Sequence, residues 1–166
     1  MNKKQELNML IKESITAALL QMMQTKNIDE IPIVELIKKA GVARNSFYRN
    51  FTDKKDIIHQ KLVALIEEWS KDYETRNDPS FFSESLIRHY YKYKDFYLLL
   101  YKRGLSDMIY ETIRYASKLD ESKNNIERYT KSMIAGMVFG WIDEWMRQGM
   151  PESPEEITLI SQQLQQ

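Results

Sequence analysis

The chain has 166 residues, no cysteine, and 24 basic against 24 acidic groups, a formal net charge of zero. These counts exclude disulfides, thiolate metal sites and a thiol nucleophile, and 43% hydrophobic with 29% charged residues excludes a disordered or fibrous chain. The length fits one domain of ordinary size, or a small module joined to a somewhat larger one, without covalent staples.

Apolar residues recur at helical spacing from end to end. Leu7, Leu10, Ile11, Ile15, Ala18, Leu19 and Met22 predict an amphipathic first helix over 7–23. A loop from Lys26 to Ile31 leads to Pro32, tolerated only in a helix's first turn. The second helix then runs to about Ala40, with Ile33, Leu36, Ile37 and Ala40 on one face, and Gly41 stops it. A third short helix is expected over Arg44 to Asn50. Asp53 is the expected N-cap of a fourth, with Asp56 in its first turn and Ile57, Ile58, Leu62, Leu65, Ile66, Trp69 and Tyr73 in register.

Asn77-Asp78-Pro79 breaks the pattern, with Asp78 as cap and Pro79 as first helical residue. An aromatic-rich helix follows, ending near Asp95. A short one over Phe96 to Lys102 stops at Gly104, and another covers Leu105 to Leu119. A long helix from about Lys123 to Arg147 ends at Gly149 and Pro151. Ser153-Pro154-Glu155-Glu156 starts the last helix with a cap, a proline and two acids. The expected fold is all-α, with about nine helices and no strand-like alternation. The N-terminus has no apolar signal core, and the uncharged run Ser132 to Ile142 is far too short to span a bilayer. A soluble cytoplasmic protein is expected, without a membrane partner.

Charge is unevenly spread. Residues 1–60 carry ten basic and seven acidic groups, a balance of +3, and residues 61–166 carry 14 and 17, a balance of −3. Between 36 and 55 six basic groups meet one acid, Asp53. Such an excess can be a footprint for phosphate, although a solvated helix face gives the same count.

Within that stretch, a helix, a glycine turn at Gly41, Val42 and a short helix with Phe47 and Phe51 inward match a helix-turn-helix. Ala40, Gly41, Val42, Phe47 and Phe51 are its expected core. The outward residues are then Arg44, Asn45, Ser46, Tyr48, Arg49 and Asn50. Two arginines with small hydrogen-bonding side chains suit base edges and phosphates in a major groove. An αα-corner that merely packs is the bland alternative.

Ala40-Gly41-Val42, Ser46-Phe47-Tyr48, Phe51 and Lys54 stand at fixed spacing within a stretch that resembles the DNA-binding signature of the TetR family of bacterial transcriptional regulators. The resemblance covers roughly residues 7–70. A weaker one links Gly136 to Leu159, including Gly140-Trp141, to one branch of TetR-type C-terminal domains. The first resemblance implies that Phe47 and Phe51 lock the recognition helix. It also implies that Ser46, Tyr48 and Lys54 reach phosphates, Lys54 from the positive end of the fourth helix, and that Arg44, Asn45 and Arg49 reach bases or phosphates. Three positions depart from the family pattern: Pro32 for a frequent threonine, Ala43 for a serine cap, and Asn45 for a glycine. The expected domains are a helix-turn-helix head over 1–52 and a helical regulatory and dimerisation domain over 53–166.

Met133 to Ile142 is apolar around the whole helix circumference, so it must be covered on all sides. A second subunit would do this readily. In TetR-like proteins the last two long helices pair with their symmetry mates. The expected interface residues are Met133, Gly136, Met137, Gly140, Trp145, Ile157 and Ile160. Fourteen of the 19 aromatics lie between Phe81 and Trp145. Aromatics at this spacing are usually core, but Trp69, Tyr90, Phe96, Tyr97, Tyr101 and Trp141 are candidates to line an inducer pocket.

His59 and His89 are far apart in sequence and lack companions at ligand spacing, and no phosphate loop or nucleophile elbow occurs. No enzyme activity, metal or cofactor is expected. The expected function is a dimeric regulator that binds palindromic double-stranded DNA as a repressor and is released by a small ligand. The alternative is a TetR-like protein that has lost operator binding and acts as a protein-binding co-regulator.

Overall fold

The computed structural model describes residues 3–76, 78 and 81–163. Nine α-helices run through them: α1 Lys3–Met23, α2 Ile33–Ala40, α3 Arg44–Asn50, α4 Lys54–Arg76, α5 Phe82–Lys92, α6 Lys94–Lys102, α7 Asp107–Ala116, α8 Asn125–Arg147 and α9 Pro154–Gln163. Single 3-10 turns occupy Ile28–Glu30 and Leu119–Glu121, and the described residues contain no strand. The fold is all-α, as the apolar spacing predicts. No helix among the described residues is long and apolar enough to cross a membrane. The expected break at Asn77 and Pro79 lies outside the described residues.

The chain parts into two compact units inside α4, one up to Leu62 and one from Val63. In the first, the head, Ile15, Leu19, Leu36, Phe47, Ile57 and Ile58 are fully buried. Pro32 stands one residue before α2 in an extended conformation, and its carbonyl accepts the first helical bond from Leu36 N at 3.1 Å. Gly41 closes α2 in the left-handed region at φ +67°, with Val42 N bonded back to Ile37 O at 3.1 Å. A side chain there would be strained, which is why a glycine stops this helix. Asp53 caps α4 as expected: its Oδ1 accepts from Asp56 N, and the Asp56 carboxylate accepts from Thr52 N, both at 2.8 Å.

Side chains also satisfy carbonyls left over where the short helices end. Ser14 Oγ donates to Ala40 O at 2.7 Å, at the end of α2. Gln60 Nε2 donates to Asn50 O at 3.0 Å, at the end of α3, while Gln60 Oε1 accepts from Lys12 Nζ at 2.8 Å. One amide on α4 thus ties α3 to α1.

The second unit holds α5 to α9 and the later turns of α4. The aromatic segment does not continue to Asp95 as one helix. α5 ends at Lys92, Tyr93 leaves helical geometry, and α6 restarts at Lys94. The Tyr93 hydroxyl donates to Glu68 on α4 at 3.1 Å, and Lys92 reaches the same carboxylate at 2.8 Å. The break brings Tyr90 and Tyr97 together, ring centroids 4.7 Å apart, beside a buried His89 whose Nε2 lies 3.0 Å from the Tyr97 hydroxyl. Burial pushes the His89 pKa down to about 4, against an upward pull from Glu68. The segment after Leu105 is shorter than its pattern predicts, since Lys118 turns left-handed at φ +49° soon after α7. α8 starts on an N-cap at Asn124, whose side chain accepts from Glu127 N at 2.9 Å.

Candidate nucleic-acid interface

The geometry of α3 follows from two buried rings. Phe47 and Phe51, one helical turn apart, are buried with ring centroids 6.1 Å apart, and they turn the opposite side of α3 outward. That side presents Arg44, Asn45, Tyr48 and Arg49 as exposed residues, with Ser46 and Asn50 half-buried. Tyr48 meets Phe47 edge-on at 5.2 Å, and the Arg44 guanidinium lies 5.7 Å from the Tyr48 ring centre. Neither Arg44 nor Arg49 belongs to an ion pair among the described residues. An exposed helix face with two uncompensated guanidinium groups and no acid is an electrostatic match for phosphate.

Other residues expected at this site have different surroundings. Asn50 turns its amide back to Ser46 O at 2.8 Å. Lys54 Nζ donates to Ile31 O at 2.7 Å and Asp29 O at 3.2 Å, so it ties the start of α4 to the turn before α2. Of the expected head core, Phe47 and Phe51 are buried, Ala40 and Val42 are half-buried, and Gly41 is exposed. Gly41 is at the surface because its role is the left-handed turn, not packing. Sequence reasoning missed Ser14 and Gln60, whose hydrogen bonds hold the helix ends. It also missed Lys4 and Lys12, which border a groove with Arg49 and Asn50. The signal for Gln60 was its spacing four residues after Asp56; Ser14 had none, because its partner is a backbone carbonyl distant in sequence.

The C-terminal unit holds a cavity of about 240 Å³ bordered by α4, α5, α7 and α8. Of the pocket candidates, Trp69 and Tyr90 line it. Phe96, Tyr97, Tyr101 and Trp141 do not. Phe96 and Tyr97 are buried in the core, and the Tyr101 hydroxyl is bonded to Asp143 Oδ1 at 2.6 Å. The lining residues Ile113, Ile134 and Val138 were not foreseen, because only the packing of α7 and α8 brings them to Trp69.

The expected interface residues also separate. Met133 and Met137 are 70% and 68% exposed, and they continue a stripe begun by Ile126 and Tyr129 on α8. A Cβ added at Gly136 or Gly140 would meet no atom within 4 Å. Ile160 on α9 is exposed as well. Trp145 and Ile157 differ from these: at 4% and 7% exposure they pack within the unit's own core, and Trp145 stacks on Tyr91 with centroids 6.1 Å apart.

A comparison with curated proteins finds no match. Residues 15–60 match the family model described as bacterial regulatory proteins, tetR family. Residues 77–166, more than half of the chain, match the model described as transcriptional regulator C-terminal region. The first match spans the helices that bury Phe47 and turn Arg44 and Arg49 outward. With a DNA-reading head and a regulator's C-terminal region in one chain, the protein belongs to the TetR family of DNA-binding transcriptional regulators.

Proposed function

We propose that the protein is a homodimeric repressor that binds a palindromic operator through two α3 helices and leaves it when a small effector enters the C-terminal cavity. The observation that carries DNA reading is the exposed α3 face, where Arg44, Asn45, Tyr48 and Arg49 stand without an acidic neighbour on the helix. The head, up to Leu62, supplies this contact, and the unit from Val63 supplies regulation and pairing.

Dimerisation is supported by the α8 stripe. Met133, Met137, Ile126 and Tyr129 form a continuous apolar surface, which a soluble chain covers with a partner. Close approach at Gly136 and Gly140 is open to a second helix. A twofold pair would set its recognition helices about one DNA turn apart, which requires a palindromic site.

Effector control is supported by the cavity and by α4. This helix carries Ile57 and Ile58 of the head core and also Ile66 and Trp69 of the cavity lining. A ligand that prefers one setting of α4 would shift the population of binding-competent heads.

The test is selection of bound fragments from a random DNA pool, followed by a salt titration on the enriched site. Enrichment of a palindrome, with affinity falling steeply as salt rises, is expected. A folded dimer that enriches no sequence overturns operator binding.

A further inference from the structure

The C-terminal cavity supports an inference that rests on the effector reading and narrows it to a chemical class. A 150 Å³ apolar cavity holds a benzene ring, so this one, at about 240 Å³, accommodates about ten non-hydrogen atoms. Ile66, Leu86, Ile113 and Val138 offer it only carbon side chains. Most of its polar groups are already engaged. The Trp69 indole N–H donates to Ser85 at 3.2 Å, and the Ser117 hydroxyl donates to Ile113 O at 2.8 Å. Lys131 is paired with Glu127 at 2.9 Å and donates to Lys118 O at 3.2 Å, so its charge is compensated.

Tyr90 differs from these. It is 2% exposed and lines the cavity, yet its hydroxyl has no hydrogen-bond partner among the described residues. The neighbouring phenol, Tyr97, is committed to His89 at 3.0 Å. A phenol that no protein acceptor engages can donate to whatever enters the space beside it. Burial raises the Tyr90 pKa further, so the group remains a protonated donor at neutral pH.

We propose that the cavity binds a neutral, mostly apolar molecule of one or two rings, whose single oxygen accepts a hydrogen bond from the Tyr90 hydroxyl. A carboxylate is a poor occupant, because it would lose its hydration without meeting an uncommitted cation.

Three probes of matched size test this: acetophenone, its hydrocarbon analogue α-methylstyrene, and benzoate, each titrated into the full chain with tryptophan fluorescence as readout. Acetophenone is expected to bind about three- to tenfold more tightly than α-methylstyrene, with benzoate weakest. Tyr90→Phe should weaken acetophenone to the level of the hydrocarbon and leave the hydrocarbon unchanged. Val138→Phe, which fills the space, should weaken both neutral probes. Tightest binding by benzoate, a preference for acetophenone that survives Tyr90→Phe, or no binding of either neutral probe to the wild-type chain overturns the proposal. These titrations contain no DNA. A probe that binds with the expected preference but leaves the operator complex intact counts against the effector reading and not against the ligand class.

Discussion

In the head, Phe47 and Phe51 are buried beneath a helix whose outer residues are Arg44, Asn45, Tyr48 and Arg49, whereas in the C-terminal unit Trp69 and Tyr90 border an open cavity. Both units use aromatic residues at helical spacing, but to different ends. The head commits its aromatic volume to rigidity, so a handful of polar residues can be held at the surface. The C-terminal unit buries four of its rings, Tyr90, Phe96, Tyr97 and Trp145, and leaves space beside three, Trp69, Phe82 and Tyr90. A surface site is defined by what projects from a filled core, and a cavity by what the core fails to fill.

Phe47→Ala presses hardest on this contrast. It should cost the head about 3–5 kcal/mol and unfold it, because a fully buried ring is lost from a small core. Denaturant melts monitored by circular dichroism check this, and a head that melts normally would contradict the packing role. In the other unit, Met137→Glu should leave the fold intact, since the residue is exposed, yet raise the dissociation constant of the proposed dimer by more than about a hundredfold. Sedimentation equilibrium reads that change, and an unchanged dimer would remove the α8 stripe from the interface.

Tyr48→Ala separates surface from core within the head. It should weaken DNA binding by about 1–3 kcal/mol without lowering the melting temperature. Binding at wild-type strength would take Tyr48 out of the interface. The effect of His89 is absent near neutral pH and shows only in acid. Its folded pKa of about 4 lies below its ordinary value of 6.5, so the unfolded chain binds the proton first as pH falls. The stability it contributes is whole above pH 6.5 and declines toward pH 4, approaching ~1.4 kcal/mol per pH unit. A His89→Gln variant should flatten the fall between pH 6.5 and 5, before most carboxylates titrate. An equal fall in both proteins would place the pH dependence elsewhere.

Much of the head is legible in the sequence. Gly41, Asp53 and the Arg44–Asn50 helix are each readable because turns, caps and short amphipathic segments depend on neighbours within a few residues. The interruption at Tyr93 is less visible, since it is secured from α4 by Glu68, 25 residues away. The same holds for Lys54, which binds carbonyls of the preceding loop where its position at a helix start suggested a phosphate.

From the sequence by itself came the all-α class, the helix-turn-helix with its inward phenylalanines, and the polar composition of the outward face of α3. All of these rest on local periodicity and on which residues tolerate which backbone geometry. Tertiary packing alone decided that Trp145 and Ile157 are core while Met133 and Met137 are surface, although all four fit one apolar pattern. It also decided which phenol meets His89 and which lines the cavity. Those outcomes depend on the neighbours that a fold brings together from distant parts of the chain, and a one-dimensional pattern does not contain them.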